Sequence, residues 1–399
     1  MKSRTVITNG RLVLPDRIIL NGEVVVEDGF ITHLGRRSDQ RITPMDITID
    51  ADGGYIMPGM IDLHSDAIEK ELEPRPGAII DAELAFSELE KKIAGQGITT
   101  MYHSFSFAGA EWGVREDKTA AETVRRVVYM ANRRSLIRNC IHLRFEVTNY
   151  PGIATVTSLV REGLIDLISF MDHTPGQGQY PTLDDYRRYM EKTYHLPFSD
   201  IQKVLEEKEQ WRGKTEEAVE KLVEAAKAVD IPMASHDDDH PGRLEYFRER
   251  GVTIHEFPVN LDTAKAARES GGDVCVGAPN VLREGSSGRG MRAYDAVVNQ
   301  AANILCSDYY PPSMLHSVFK LSQETMTLPE AVAMATREPA RAMGLNLLGS
   351  LEVGKIGDLI VVNQREGLPV VMNSVVAGAP VYGINYRRHS MLPAAVKLA

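Results

Sequence analysis

A chain of 399 residues with 43% hydrophobic and 25% charged side chains is ordinary for a globular protein and long enough for a main domain plus a smaller one. Its formal charge of −10 argues against a general nucleic-acid or membrane-surface binder, but leaves room for a local cationic pocket. No apolar run reaches the roughly 18–20 residues of a membrane span. The three cysteines, Cys140, Cys275 and Cys306, lack a Cys-x-x-Cys spacing, which fits a reducing cytoplasm and offers no thiolate metal site.

Residues 1–10 read as strand and turn and lack the apolar core of a signal peptide, so a cytoplasmic location is expected. Up to residue 54 the chain alternates Val/Ile/Leu-rich pieces with Asn9-Gly10, Asn21-Gly22 and Asp28-Gly29, three hairpin signals. A similar β pattern returns over 354–362, 370–376 and 381–383. The two ends, 1–54 and 346–399, are therefore expected to pair into one composite β-sandwich.

Between 55 and 345 short apolar runs alternate with amphipathic helical stretches, the mark of β-α units and a parallel sheet. Eight buried strands are expected, ending near His64, His103, Glu146, His173, His236, Glu256, Pro279 and Asp308. Eight such units make a (β/α)8 barrel, whose chemistry sits at the carboxyl ends of its strands. Residues 181–229 are too long for one barrel helix and read as an inserted helical hairpin, either a lid or a solvated excursion. Cys275 and Cys306 lie in apolar runs and read as core.

The first barrel strand ends in His64 and Asp66, which share a strand face because they are two apart. Each candidate has a plain structural explanation. His64 and Asp66 read as a hydrogen-bonded pair, His173 as a turn cap, His236 as one polar residue in an acidic loop, and Asp308 as an N-cap. Six such residues on converging strand ends (His64, Asp66, Glu146, His173, His236 and Asp308) read jointly as the ligands of one or two divalent ions. Zn, Mn, Fe and Ni all suit such donors.

Those strand ends, with residues 354–362, resemble the amidohydrolase superfamily. More narrowly, Asp62-Leu63-His64-Ser65-Asp66, Met171-Asp172-His173-Thr174-Pro175-Gly176, Ser235-His236-Asp237-Asp238, Glu256-Phe257-Pro258 and Ser307-Asp308-Tyr309 are similar to its phosphonate-metabolism branch, the α-D-ribose 1-methylphosphonate 5-triphosphate diphosphatases. The resemblance implies metal-dependent hydrolysis of a 5-triphosphate to a 5-phosphate plus pyrophosphate, with Asp308 as the general base. Asp66 replaces the second histidine of the superfamily's usual His-x-His. No lysine ends a middle strand, so Glu146 takes the bridging role that a carbamylated lysine often has. His255 and Glu256 face opposite sides of one strand, and the resemblance favours Glu256.

A triphosphate needs cations. Lys70 and Arg75 after the first strand, and Arg283, Arg289 and Arg292 after the seventh, are expected to bind it, with His103 as a further contact. The expected partner is a small phosphorylated molecule, without nucleic acid or membrane, and a homodimer is the default assembly. Two other readings use the same scaffold: hydrolysis of a cyclic amide or deamination of a ring, and, more remotely, a barrel without catalysis.

Overall fold

The fold is that of a computed structural model, which describes residues 4–36, 42–109, 113–176, 178, 180, 182–194, 198–285 and 290–386. The chain opens with strands β1 (Arg4–Val13), β2 (Ile18–Glu27), β3 (Phe30–Arg36), β4 (Ile47–Asp50) and β5 (Tyr55–Pro58). Next come β6 (Met60–Ser65), β7 (Ile98–Phe107), β8 (Arg138–Glu146), β9 (Leu167–Met171), β10 (Met233–His236), β11 (Ile254–Glu256), β12 (Asp273–Gly277) and β13 (Ile304–Cys306). The described chain closes with β14 (Leu359–Arg365), β15 (Leu368–Val376) and β16 (Ala379–Gly383).

Strands β6 to β13 lie side by side in sequence order, all parallel, with helices between them. A bridge from Ser65 to Asp308 brings the two edges together. There the Asp66 N–H donates to the Asp308 carbonyl at 2.8 Å, and the Asp308 N–H donates to the His64 carbonyl at 2.9 Å. The result is a nearly closed (β/α)8 barrel. Side chains such as Tyr102, Leu167, Ile254, Cys275 and Cys306 fill its interior, so the two cysteines are core residues.

The other eight strands form one mixed sheet, ordered β16-β15-β14-β5-β1-β2-β3, with β4 on β1. Strand alternation explains how it holds the barrel. On β14, Leu359 and Val361 join the sheet's own core, whereas Ile360 and Val362 pack with the barrel's outer layer. On β5, Ile56 and Met57 divide in the same way. Strand β5 pairs with β1 and β14 in this sheet, so the mixed sheet extends one strand past the expected limit at residue 54.

Two hairpin expectations are corrected. Only Asp28-Gly29 turns the chain, at φ 50° and 87°. Asn9-Gly10 and Asn21-Gly22 sit inside β1 and β2, where Gly10 pairs with Gly22 across register shifts. A Cβ at Gly10 would lie 2.5 Å from Ile56 Cδ1, so this glycine permits a close approach inside an irregular pair and does not make a turn.

The insertion is also shorter than expected. Helices Leu183–Tyr194 and Phe198–Trp211 form it, with Tyr180, Tyr186, Met190 and Ile201 as a small core of their own. Helix Thr215–Lys227 packs Ala218, Val219, Leu222, Val223 and Ala226 into the main core and is an ordinary barrel helix. Among the described residues no helix is long and apolar enough to cross a membrane.

Candidate active site

Seven acidic or imidazole groups gather at one end of the barrel because six strands finish there. His64 lies near the end of β6, while Glu146, His236 and Glu256 are the last residues of β8, β10 and β11. Asp66, His173 and Asp308 lie just beyond β6, β9 and β13. Asp237, Phe257 and Asp308 take left-handed backbone angles, at φ 55°, 53° and 54°. Aspartate tolerates that region, but phenylalanine pays for it. The Phe257 ring packs edge-on against His64 (4.9 Å) and His236 (5.2 Å), giving both imidazoles a fixed apolar wall.

Among the described residues, three groupings bring possible ligand atoms within 4.8 Å of one another: His64, Asp66 and Asp308; His64, His236 and Glu256; and His173, His236 and Asp237. Glu256 Oε1 is 2.9 Å from His64 Nδ1. That contact places a proton on Nδ1 and leaves Nε2, 3.8 Å from Asp66 Oδ1, as the free donor atom. Glu146 likewise orients His173, at 2.9 Å from its Nδ1 and 3.1 Å from its backbone N–H.

The donor set fits a cation. Glu256 Oε2 is buried yet makes no hydrogen bond, and His236 Nδ1 and Asp237 Oδ2 face each other at 3.2 Å without a well-aligned one. Unsatisfied buried lone pairs are costly, and a divalent ion is what imidazole and carboxylate donors together take up. With Glu256 at the site, His255 turns away to bond Ser235 Oγ at 2.8 Å.

Two cations that sequence reasoning passed over complete the electrostatics. Arg144 donates from Nη1 to Asp66 Oδ1 at 2.8 Å, and its Nη2 lies 3.3 Å from His236 Nε2. It stands two residues before Glu146 on β8, so the same-face rule that selects His64 and Asp66 also selects it. Lys208 comes from the inserted helix, is 6% exposed, and places Nζ 3.1 Å from Glu146 Oε1. No local pattern announces that contact, because a docked helix makes it. Trp211, one turn on, stacks on Tyr150 at 5.5 Å. A cavity of about 360 Å³ lies between this helix and the loops after β7 and β8, lined in part by Asp117, Thr148, Asn149, Lys208 and Trp211.

These charges sort the carboxylates. Burial alone would raise Asp66, but Arg144, His64, Arg115 and Lys70 together outweigh it and hold the acid well below the usual range. Burial and then the Asp66 charge push Asp308 up to about 6. Glu146 is held low against its burial by Lys208 and His173. His173 is lifted to about 9 because Glu146 and Asp237 together outweigh the cost of burying its charge. One side of the arc thus pairs a firmly ionised aspartate with one near its titration point. That is the arrangement in which one carboxylate holds charge and the other exchanges a proton.

The expected substrate contacts divide. Lys70 and Arg283 both reach Tyr309, the neighbour of Asp308: Lys70 Nζ is 3.2 Å from its carbonyl oxygen and Arg283 Nη1 is 2.9 Å from its hydroxyl. Arg75 is exposed on the loop after helix Ala67–Leu72. Arg292 makes a bidentate pair with Asp295 at 2.7 and 2.8 Å, so the expected role at the site gives way to a local one. Arg289 lies outside the described residues. His103 is corrected outright. It sits within β7, which continues to Phe107, and faces the outer helix layer, where it bonds Asn139 at 2.8 Å and packs on Phe86.

Comparison with known proteins agrees with this architecture. The chain is 31% identical over 375 residues to the Escherichia coli (strain K12) alpha-D-ribose 1-methylphosphonate 5-triphosphate diphosphatase, covering 90% of this chain and 96% of that protein. It is 25% identical over 390 residues to an imidazolonepropionase of Pseudomonas putida (strain GB-1), covering 86% and 87%. Among solved structures, a Xaa-Pro dipeptidase superposes with a TM-score of 0.64 at 16% identity, covering 95% of this chain and 99% of that one. Dihydropyrimidinase from Brevibacillus agri NCHU1002 gives 0.63 at 15% identity, covering 96% and 95%. The sequence model described as the amidohydrolase family matches residues 55–385, and with the barrel and its ring of imidazoles and carboxylates this places the chain in the amidohydrolase family.

Proposed function

We propose that this protein is a metal-dependent diphosphatase that hydrolyses α-D-ribose 1-methylphosphonate 5-triphosphate to the 5-phosphate and pyrophosphate. The observation that carries this reading is the full-length likeness to the E. coli diphosphatase. Asp66, standing where a second histidine is usual, and the pair Lys70 and Arg283 beside Asp308 support it.

In this reading His64, Asp66 and Asp308 hold one divalent ion, and His173, His236 and Asp237, with Glu146 beside them, offer the place for a second. Zn, Mn, Fe or Ni suits these donors. Such an ion supplies Lewis acidity, making water easier to deprotonate and neutralising phosphoryl charge. Asp308 accepts the proton of the attacking water. Arg144 keeps Asp66 ionised, and Glu256 holds His64 in one tautomer. Lys70 and Arg283 neutralise and orient the polyphosphate. Catalysis is then mainly positioning and charge neutralisation, as in phosphoryl transfer generally.

Phosphorus NMR of the products tests this. Metal-loaded protein given the ribose 5-triphosphate with a 1-methylphosphonate should yield pyrophosphate and the 5-phosphate. Release of inorganic phosphate alone would place attack at the terminal phosphorus. Absence of turnover with metal bound would redirect the search to cyclic-amide and ring substrates.

A further inference from the structure

Most cations at or near the mouth of this barrel are spent on a carboxylate. Arg144 is paired with Asp66, Arg115 with Glu69, Lys208 with Glu146, Arg292 with Asp295 and Lys320 with Glu284. Lys70 and Arg283 differ. Among the described residues neither forms an ion pair with a carboxylate, although Asp66 and Asp308 lie within electrostatic reach of Lys70, and both are held by neutral atoms of one residue, Tyr309.

Tyr309 engages them with three different parts. Its carbonyl oxygen accepts from Lys70 Nζ at 3.2 Å, its ring lies 4.8 Å from that ammonium, and its hydroxyl accepts from Arg283 Nη1 at 2.9 Å. The two cations come from opposite sides. Lys70 is on helix Ala67–Leu72 after β6, and Arg283 ends helix Ala278–Arg283 after β12, so they flank β13 and the Asp308-Tyr309 step that follows it. Each spends one donor to a neutral acceptor on Tyr309 and keeps its full charge and its other N–H groups for a ligand. Holding long side chains in place beforehand removes an ordering cost that binding would otherwise bear.

We propose that Tyr309 is a positioning residue that sets Lys70 and Arg283 as a matched pair of cations beside Asp308, and that the pair takes oxygens of a phosphate-class anion. This rests on the reading of the site as one for a phosphorylated substrate and adds the residue that builds its anion clamp. A bare carboxylate at this position would neutralise the pair. A tyrosine orders it without neutralising it.

The test uses the metal-loaded full chain, with inorganic tripolyphosphate as a calorimetric binding probe alongside steady-state kinetics. Tyr309→Phe keeps the ring and carbonyl and removes the acceptor for Arg283. It should weaken tripolyphosphate binding and raise KM together by about 2–10-fold, with kcat within about twofold. Tyr309→Leu also removes the aromatic face and should go further in the same direction. In an Arg283→Ala background the Tyr309→Phe change should add little, since its partner is gone. Unchanged tripolyphosphate affinity in Tyr309→Phe, full additivity with Arg283→Ala, or a fall in kcat at constant KM would each overturn the proposal. Binding needs no turnover, so the two readings separate. A protein that cleaves no phosphoanhydride yet loses tripolyphosphate affinity on Tyr309→Phe would refute the proposed reaction and leave the clamp standing. Wild-type protein that does not bind tripolyphosphate would refute the clamp whatever the substrate.

Discussion

The two flanks of the ligand arc obtain their balancing charge in different ways. On the Asp66–Asp308 flank the counter-ion is Arg144, a residue of β8 whose direction is set by strand register. On the Glu146–His173 flank it is Lys208, which arrives on a helix outside the eight β-α units. A charge fixed by register can leave only if the barrel distorts. One that is carried by a docked helix can leave with the helix. The first flank is therefore built for permanence and the second for release.

The largest expected effect lies on the permanent flank. Asp308→Asn keeps the shape but removes the proton acceptor, and turnover should fall roughly 10²–10⁴-fold with the fold intact. Activity near wild type, with metal content verified, would take Asp308 out of that role. Next, Arg144→Met would strand the half-buried Asp66 carboxylate. Under chelator this should cost about 3–5 kcal/mol, read as a lower Tm, and added divalent metal should recover much of it. An unchanged Tm in chelator would mean that Arg144 does not balance Asp66.

On the releasable flank the loss should be smaller and local. Lys208→Met leaves Glu146 its two bonds from His173, so about 1–3 kcal/mol is expected. Limited proteolysis should speed up within 183–211 while the barrel's melting barely moves. A matching loss of global stability would abolish the distinction between the flanks. Smallest of all, Arg292→Ala breaks an exposed pair with Asp295 and should change stability by about 0.5 kcal/mol or less, with KM unaltered. A raised KM would bring Arg292 back to the substrate.

The permanent flank was the more legible in the sequence, for the same reason that it is permanent. Period-two alternation and strand ends place His64, Asp66 and Asp308 together, and apply equally to Arg144. Lys208 obeys no local period, since its contact depends on how an inserted helix docks. Arg292 and His103 misled for opposite reasons. Arg292 found a partner three residues away, and β7 runs on past His103, turning its ring to the helix side. The Asn-Gly steps at 9–10 and 21–22 mimicked hairpins because a bulge and a tight turn ask for the same backbone freedom.

The barrel's two edges meet through the backbones of His64, Asp66 and Asp308, the residues whose side chains gather at the proposed reaction centre. Breathing of the barrel at that seam and disassembly of the centre are therefore one event. The amide protons of Asp66 and Asp308, followed by hydrogen exchange, would record in a single rate how often the barrel unzips and how often the site ceases to exist.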